Sequence, residues 1–244
     1  MSPKHVASCS FGKDSIATIL LALEHGEPLD EAVYCEVMFD DTTSGEVPEH
    51  QAFIYQAAIP ALEKLGVPVR VLRSEKTYTS VFMGKVTRGP KKGMIRSFPM
   101  CGKCYVQRDC KMHPIRQYQK TLPSDTVQYI GIAKDELRRL TRLDGNQVSL
   151  LEKYGYTEDD AKQLCKQAGL LSPVYEFTDC GGCWFCPNAK LPELRHLYDH
   201  HPDLWQKMMR LQAVPGKVTE KFNRSQKFSD IDAMFREQDL QAAA

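Results

Sequence analysis

The chain has 244 residues, of which 42% are hydrophobic and 26% charged, and its formal net charge is +1. This composition is typical of one large globular domain or a domain with a small addition, and it argues against disorder and against a chain-wide polyelectrolyte. No apolar run approaches the roughly 20 residues that span a bilayer, and no long apolar segment follows the N-terminal residues. We therefore expect a cytoplasmic protein with no membrane partner.

Short apolar runs alternate with helical periodicities along most of the chain. The apolar runs predict strands at 6–10, 32–39, 67–72 and 127–132. The periodicities predict helices at 14–24, 48–65 with a kink at Pro60, 109–120, 157–168 after a Thr157 cap, 191–211 and 230–240. This alternation predicts an α/β fold: a Rossmann-like, doubly wound parallel sheet of about five strands, followed by a helical C-terminal region.

Three distinctive loops follow predicted strands, at 10–15, 40–50 and 131–139. In doubly wound sheets, ligands bind at the carboxyl ends of the strands. The positions of these loops therefore favour a ligand site at that edge of the sheet.

The first loop, Ser10-Phe11-Gly12-Lys13-Asp14-Ser15, joins a strand to a helix. Backbone N–H groups at a helix start attract an anion, and Gly12 would let a phosphate come close. Asp14 would repel phosphate unless a divalent ion lay between them, which indicates Mg²⁺. The G-x-x-x-x-G-K-[ST] pattern of a Walker P-loop is absent. The alternative is a plain turn with an N-capping Asp or Ser.

Cysteines are concentrated in two regions. Cys180-Gly-Gly-Cys183-Trp-Phe-Cys186 contains two overlapping C-x-x-C units, and Cys101-Gly-Lys-Cys104 precedes Cys110 by six residues. Six thiols in tight spacing can supply four ligands to a [4Fe–4S] cluster or to Zn²⁺, whereas buried structural thiols would be less tightly spaced. The other three cysteines, Cys9, Cys35 and Cys165, are predicted to be core residues.

Positive charge is concentrated in residues 85–120, which carry ten Lys/Arg residues and one acid, Asp109. One interpretation is a solvated face or a loop. The other is a surface for an anion, either a nucleotide or a nucleic-acid backbone.

Several motifs together resemble one superfamily. The 10–15 loop resembles the S-G-G-x-D-S pyrophosphate loop of the PP-loop superfamily, the adenine nucleotide α-hydrolase-like proteins, with Phe11 in place of the first Gly as in the phosphoadenosine phosphosulfate reductase-like branch. Residues 39–50 resemble its D-T-G-x-E-x-P-E loop, residues 130–139 its G-I-x-x-D-E-x-x-R segment, and residues 182–187 its G-C-W-x-C-P box. The resemblance covers roughly residues 6–190.

The resemblance implies that ATP or a related adenine nucleotide binds with Mg²⁺. The implied nucleotide-binding residues are Ser10, Phe11, Gly12, Lys13, Asp14, Ser15, Asp40, Gly131 and Asp135, and the implied catalytic residues are Lys13, Asp14 and Arg138. The implied metal ligands are Cys104, Cys110, Cys183 and Cys186, with Cys101 and Cys180 as further candidates. Cluster-bearing members of the superfamily favour [4Fe–4S] over Zn²⁺. For Asp135, a solvated helix start is the alternative.

The predicted organisation is a PP-loop nucleotide-binding α/β domain over 1–178, with a basic, cysteine-containing excursion at 83–112, and a cysteine-rich box with a helical region over 179–244. Three functions are compatible with it. The first is ATP-dependent adenylation that releases pyrophosphate and is coupled to sulfur transfer, with a nucleic-acid substrate at 85–120 and a cysteine desulfurase or another sulfur donor as partner. The second is sulfonucleotide reduction, although no cysteine follows Cys186. The third is a non-catalytic nucleotide- and metal-binding subunit.

Overall fold

The computed structural model describes residues 3–99, 104–178 and 182–243. The chain divides into two compact units that alternate along the sequence. The sheet unit comprises Met1–Glu36, Val47–Arg73 and His113–Gly181, and the helical unit comprises Val37–Glu46, Ser74–Met112 and Gly182–Ala244. This division differs from the predicted boundary between 178 and 179, because two segments that follow strands of the sheet belong to the helical unit.

A five-stranded parallel sheet forms the centre of the sheet unit, with the strand order β3-β2-β1-β4-β5. Its strands are β1 His5–Cys9, β2 Glu31–Glu36, β3 Val69–Arg73, β4 Val127–Ile130 and β5 Gln147–Val148. The strands β2 and β3 lie on one side of β1, and the later strands β4 and β5 lie on its other side. The predicted parallel α/β sheet is confirmed, and β1 and β4 flank the point where the winding direction changes.

The helices of the sheet unit are α1 Lys13–Glu24, α2 Pro48–Phe53, α3 Ile59–Lys64, α5 His113–Gln119, α6 Leu137–Leu140, α7 Leu150–Lys153 and α8 Glu158–Gln167, with a 3₁₀ turn at Pro173–Glu176. The single helix predicted at 48–65 is divided by a π-helical turn, Ile54–Ala58. Pro60 explains the interruption, because it lacks an N–H and its ring crowds the carbonyl four residues earlier. Thr157 caps α8 as predicted, with its side chain accepting from the Asp160 N–H.

Helices cover both faces of the sheet. Ala7 and Cys9 of β1 belong to the buried core together with α1. The alternate residues Val6 and Ser8 instead lie beside Ile115 of α5. Because successive side chains of a strand point to opposite faces, α1 and α5 lie on opposite sides. This arrangement defines a doubly wound sheet.

The helical unit contains α4 Tyr78–Met83, a π-helical turn at Gln107–Met112, α9 Leu191–His200, α10 Pro202–Ala213 and α11 Phe228–Ala242. The helix predicted at 191–211 is two helices, because Pro202 cannot donate a backbone hydrogen bond and begins α10. Aromatic rings dominate the core of this unit: Phe39, Tyr78, Phe82, Phe98, Trp184, Phe185, Trp205, Phe222, Phe228 and Phe235. Within the described ranges, no helix has the length and apolar character needed to cross a bilayer.

Candidate functional site

Phe11 anchors the loop between β1 and α1. Its φ of +58° lies in the left-handed region, which costs an L-residue about 1–2 kcal/mol. Its ring is fully buried and meets Tyr34 edge-on, with the ring centroids 5.1 Å apart. Burial of the ring offsets the strain, so the side chain is a core anchor and only the backbone of Phe11 can face a ligand.

The backbone N–H groups of the loop point to an anion site. Those of Ser10 and Phe11 donate to Ser15 Oγ at 3.2 Å and to Cys9 Sγ at 3.4 Å. Those of Gly12, Asp14 and Ser15 have no acceptor among the residues that the structure describes. N–H groups without acceptors at the start of a 12-residue helix attract an anion.

Tyr175 closes one side of this loop. Its hydroxyl accepts a hydrogen bond from the Lys13 N–H at 2.9 Å. An open pocket of about 440 Å³ lies against its ring, lined also by Lys162, Lys166 and Ser172. Pockets of this volume can hold small ligands. The sequence contains no local pattern that predicts this role for Tyr175.

Lys13 is the buried charge of the loop. Its Nζ lies 2.9 Å from Asp14 Oδ1 and 2.7 Å from Glu158 Oε2. Burial lowers the pKa of Lys13, but the hydrogen bonds to Glu158 and Asp14 outweigh it, so this pKa lies above its ordinary value. Burial raises the pKa of Asp14, and the charge of Lys13 opposes that rise. One ammonium between two carboxylates leaves net negative charge, which suits a divalent cation beside phosphate.

Glu158 could not be recognised from its local sequence. It opens α8 directly after the Thr157 cap, where an acidic residue ordinarily complements the helix dipole. Its backbone N–H donates to Asp135 Oδ1 at 3.2 Å. Asp135, predicted to bind nucleotide, therefore positions the start of α8 and with it the Glu158 carboxylate.

Gly131 allows β4 to pack on the first turn of α1. A Cβ at this position would lie 2.8 Å from the Asp14 carbonyl carbon and 2.8 Å from the Ser15 nitrogen. Real side chains essentially never come this close to backbone atoms. Only glycine therefore fits here, and the β4 end holds the loop in place.

His50 is a buried residue of the sheet unit that contacts both the β1–α1 loop and Ser172, the residue before the 3₁₀ turn. It is 3% exposed, with Nδ1 2.8 Å from Ser172 Oγ and Nε2 3.3 Å from the Ser10 carbonyl oxygen. A carbonyl oxygen only accepts, so Nε2 carries the proton and Nδ1 accepts from the Ser172 hydroxyl. His50 thus fixes the position of Ser10.

Arg138 lies exposed on α6. Its neighbour Arg139 pairs with Glu136 at 2.6 Å, whereas no carboxylate in the described part of the chain pairs with Arg138. Its charge is therefore available to an anionic ligand.

Asp40 lies in the helical unit, where Lys207 neutralises it. Lys207 Nζ is 2.6 Å from Asp40 Oδ2, and the Thr43 N–H donates to Oδ1 at 2.7 Å. Burial opposes ionisation, but the hydrogen bonds from Lys207, Thr43 and Thr42 hold the pKa of Asp40 well below its usual range. Lys207 lies on α10, and no pattern in the sequence around it predicts this contact.

Four of the six candidate metal ligands lie in the described part of the helical unit. Cys110 is fully buried in the π-helical turn, and Cys104, Cys183 and Cys186 are half-buried. The box around Cys183 is a tight turn in which the Cys186 N–H donates to the Cys183 carbonyl oxygen at 2.9 Å. Cys101 and Cys180 lie outside the described residues.

The structure brings Cys104, Cys183 and Cys186 into one electrostatic neighbourhood. Burial raises the pKa of the Cys183 thiol; Glu46 adds to the rise, Lys111 opposes it, and Cys186 and Cys104 add smaller contributions. A thiol in such surroundings ionises readily only if a cation balances it.

The basic segment is divided between the two units. Its most exposed part is the loop with Lys85, Arg88, Lys91 and Lys92. Arg96 and Arg108 lie 5.6 Å and 5.2 Å from the centroid of the Tyr105 ring. The four exposed cations form a local positive patch in the helical unit.

The fold is a doubly wound α/β sheet in which three backbone N–H groups without acceptors in the described ranges follow the strand where the winding changes direction. No protein-family model matches the chain, and no curated protein matches it. Among solved structures, the U34-tRNA thiolase NcsA from Methanococcus maripaludis with its [4Fe-4S] cluster aligns with a TM-score of 0.44 and 13% sequence identity, over 96% of this chain and 81% of that chain. A similarity of this size does not establish a shared function.

Proposed function

We propose that the chain is a PP-loop enzyme of the phosphoadenosine phosphosulfate reductase-like family that adenylates an acceptor with ATP and couples this step to sulfur transfer. The observation that carries the proposal is the set of three loop N–H groups, from Gly12, Asp14 and Ser15, without acceptors in the described ranges. They lie at the start of α1, beside a β4 end that admits only glycine.

In this proposal, the three N–H groups and the Ser10 and Ser15 hydroxyls hold the phosphates of ATP. Lys13 supplies positive charge from between its two carboxylates, and Arg138 binds a phosphate or an anionic group of the acceptor. An acceptor oxygen attacks the α-phosphorus, the bond to the bridging oxygen breaks, and pyrophosphate leaves. Fixed donors stabilise the charge that develops at phosphorus.

Asp14 is the proposed Mg²⁺ ligand of the loop. Its carboxylate shares the Lys13 ammonium with Glu158 of α8, so the pair carries more negative charge than Lys13 balances. Oxygen ligands with excess negative charge are the donor set that Mg²⁺ prefers. Bound Mg²⁺ would neutralise the phosphates and polarise the reacting phosphorus. Asp40 remains a proposed nucleotide-binding residue. To bind the nucleotide, its carboxylate would have to release its ion pair with Lys207.

The proposed metal centre is a [4Fe–4S] cluster held by Cys104, Cys110, Cys183 and Cys186, with Zn²⁺ as the alternative. Soft thiolate ligands suit either metal. The surroundings of the Cys183 thiol support the fit, because they disfavour the thiolate and a bound cation would compensate that cost. The centre would bind the sulfur atom that the adenylated acceptor receives.

A nucleic acid is the proposed acceptor class, because the exposed loop at Lys85, Arg88, Lys91 and Lys92 carries four cations. Phosphate contacts by such residues make binding depend on salt. A cysteine desulfurase or another sulfur donor is the remaining proposed partner.

The test is to identify the products made from ATP in the presence of candidate RNA and DNA acceptors and sulfide, which would attack the adenylated acceptor and displace AMP. We expect AMP and pyrophosphate from the wild type, and at least a tenfold lower rate from Asp14→Asn. The matched control is Asp125→Asn, an exposed aspartate of the same unit. Sulfite released from phosphoadenosine phosphosulfate would support reduction instead, and nucleotide binding without turnover would support a non-catalytic subunit.

Anaerobic purification followed by visible spectroscopy and metal analysis tests the centre. We expect the broad absorption of an iron–sulfur cluster and about four irons per chain. A colourless protein with one zinc would contradict the cluster and support the alternative.

A further inference from the structure

Tyr78 carries a buried hydroxyl group with no partner. The residue is 0% exposed at the start of α4. Its Oη makes no hydrogen bond to any residue that the structure describes. Buried hydroxyl groups are nearly always hydrogen-bonded, because water otherwise solvates them better than the protein interior does.

The ring of Tyr78 is held firmly beside the cysteine box. It packs against Phe185, with ring centroids 4.1 Å apart and the planes tilted by 35°, and Phe185 directly precedes Cys186 in the box. It also stacks on Phe39, with the ring centroids 5.2 Å apart. The backbone N–H of Tyr78 donates to the Met38 carbonyl at 2.9 Å, and a capping box at Thr77 fixes the start of α4.

Three of the candidate metal ligands lie close enough to this residue to act on it electrostatically: burial raises the pKa of Tyr78 well above its ordinary value, and Cys104, Cys183 and Cys186 raise it further. A phenol keeps its proton at neutral pH and can donate a hydrogen bond, whereas a thiolate or a sulfide is a good acceptor.

We propose that the Tyr78 hydroxyl donates a hydrogen bond to a sulfur atom of the metal centre, either a cysteine thiolate or an inorganic sulfide. This inference rests on the proposed metal centre at the same cysteines. Tyr78 is a positioning residue: it contacts the centre's sulfur and takes no part in bond making. The unpartnered hydroxyl of the metal-free chain becomes satisfied when the centre is bound.

Two opposite effects follow for Tyr78→Phe, which keeps the ring and removes the hydroxyl. In the metal-free chain, the variant loses an unsatisfied polar group and should unfold at a higher urea concentration than the wild type. In the loaded chain, it loses a donor to the sulfur and should release its metal more readily. Partners of this kind typically change metal affinity by about 10- to 100-fold.

The experiment measures urea midpoints of the metal-free proteins and metal retention by chelator competition for the full chain. If the centre is a cluster, its midpoint potential is also measured, because a hydrogen bond to sulfur stabilises the reduced state and its loss should lower the potential. The matched control is Tyr198→Phe, a tyrosine of the same unit that packs on Trp205 at 5.2 Å and bonds to Asp239. We expect the control to leave metal retention unchanged.

The outcomes separate the inference from the proposed centre. A higher urea midpoint with at least tenfold weaker metal retention supports the role of Tyr78. Equal retention and an equal potential in wild type and Tyr78→Phe would overturn it, as would an unchanged midpoint of the metal-free variant. A wild-type chain that binds neither iron nor zinc would overturn the proposed centre itself.

Discussion

The two candidate sites differ in which polar groups have partners. In the sheet unit, the Lys13 ammonium lies between Asp14 and Glu158 and the Lys13 N–H donates to the Tyr175 hydroxyl, while the N–H groups of Gly12, Asp14 and Ser15 have no acceptor in the described ranges. In the helical unit, the buried hydroxyl of Tyr78, whose ring packs on Phe185 of the cysteine box, has no partner in the described residues.

This difference indicates which contacts a ligand would replace or supply at each site. In the phosphate loop the Lys13 side chain is already paired, so a nucleotide must compete with two carboxylates for that cation, while the three N–H groups are ready to donate to the nucleotide. The thiol site lacks a polar partner that its ligand would supply. Substitutions in the loop should therefore destabilise the free protein, whereas removal of the Tyr78 hydroxyl should stabilise the metal-free protein and weaken metal retention by the loaded protein.

The largest expected effect is at Phe11. Phe11→Gly relieves the left-handed strain but empties a fully buried ring site, and removal of such a ring costs about 3–5 kcal/mol. The strain relief recovers about 1–2 kcal/mol, so we expect a net loss of about 1–4 kcal/mol in the free energy of unfolding by urea titration. Phe11→Leu, which fills most of the volume, should lose less. Wild-type stability in Phe11→Gly would show that the loop is not anchored through the core.

The next effect is at Gly131. The methyl group of Gly131→Ala collides with the Asp14 and Ser15 backbone, so the loop must move. We expect a loss of about 1–3 kcal/mol in stability and at least a tenfold loss of ATP affinity by isothermal titration. Gly182→Ala is the control, because its methyl group meets nothing within 4 Å. Equal ATP affinity in both variants would contradict the role of the β4 end.

A smaller effect of opposite sign is expected at Glu158. Its carboxylate holds Lys13 at 2.7 Å and competes with phosphate for that cation. Glu158→Gln removes one negative charge, so affinity for ATP without Mg²⁺ should rise several-fold. Fluorescence titration with a labelled ATP analogue measures the change. A fall in affinity would mean that Glu158 itself binds the nucleotide or an ion bound to it.

The smallest expected effect is the loss of folding stability at acid pH that is caused by protonation of Asp40. Its folded pKa is depressed by Lys207 and Thr43, so the stabilisation is present above the unfolded carboxyl pKa of about 4 and lost as the pH falls below it. Asp40→Asn removes this titration. Urea unfolding at about pH 5 and about pH 3 should show a smaller stability loss for the variant than for the wild type. Parallel losses would contradict the ion pair with Lys207.

Local patterns in the sequence predicted the sheet well but not the contacts that complete the sites. The apolar runs located β1 to β4, and Thr157 located the start of α8, because these signals are local. The two-residue β5 is too short to leave a pattern. The π-helical turn at Gln107–Met112 also left no pattern, because a helical periodicity does not distinguish a π-helical turn from an α-helix.

The missed site residues are distant in sequence from their partners. Glu158 is 145 residues from Lys13, Tyr175 is 162 residues from it, and Lys207 is 167 residues from Asp40. Such pairs form only when the chain folds, so nothing near them in the sequence marks them. Cysteine spacing, in contrast, is itself a local signal, and the structure brings the thiols of Cys104, Cys183 and Cys186 into one electrostatic neighbourhood.

The central claim is that the phosphates of ATP bind the backbone of the β1–α1 loop. The most direct measurement is a ¹⁵N–¹H NMR titration of the full chain with Mg²⁺ and ATP, with the amides of Gly12, Asp14 and Ser15 assigned. We predict that these three signals shift together and saturate at one ATP per chain, and that Gly131→Ala moves the response to at least tenfold higher ATP concentrations. Saturable ATP binding that leaves all three signals unmoved would contradict the account.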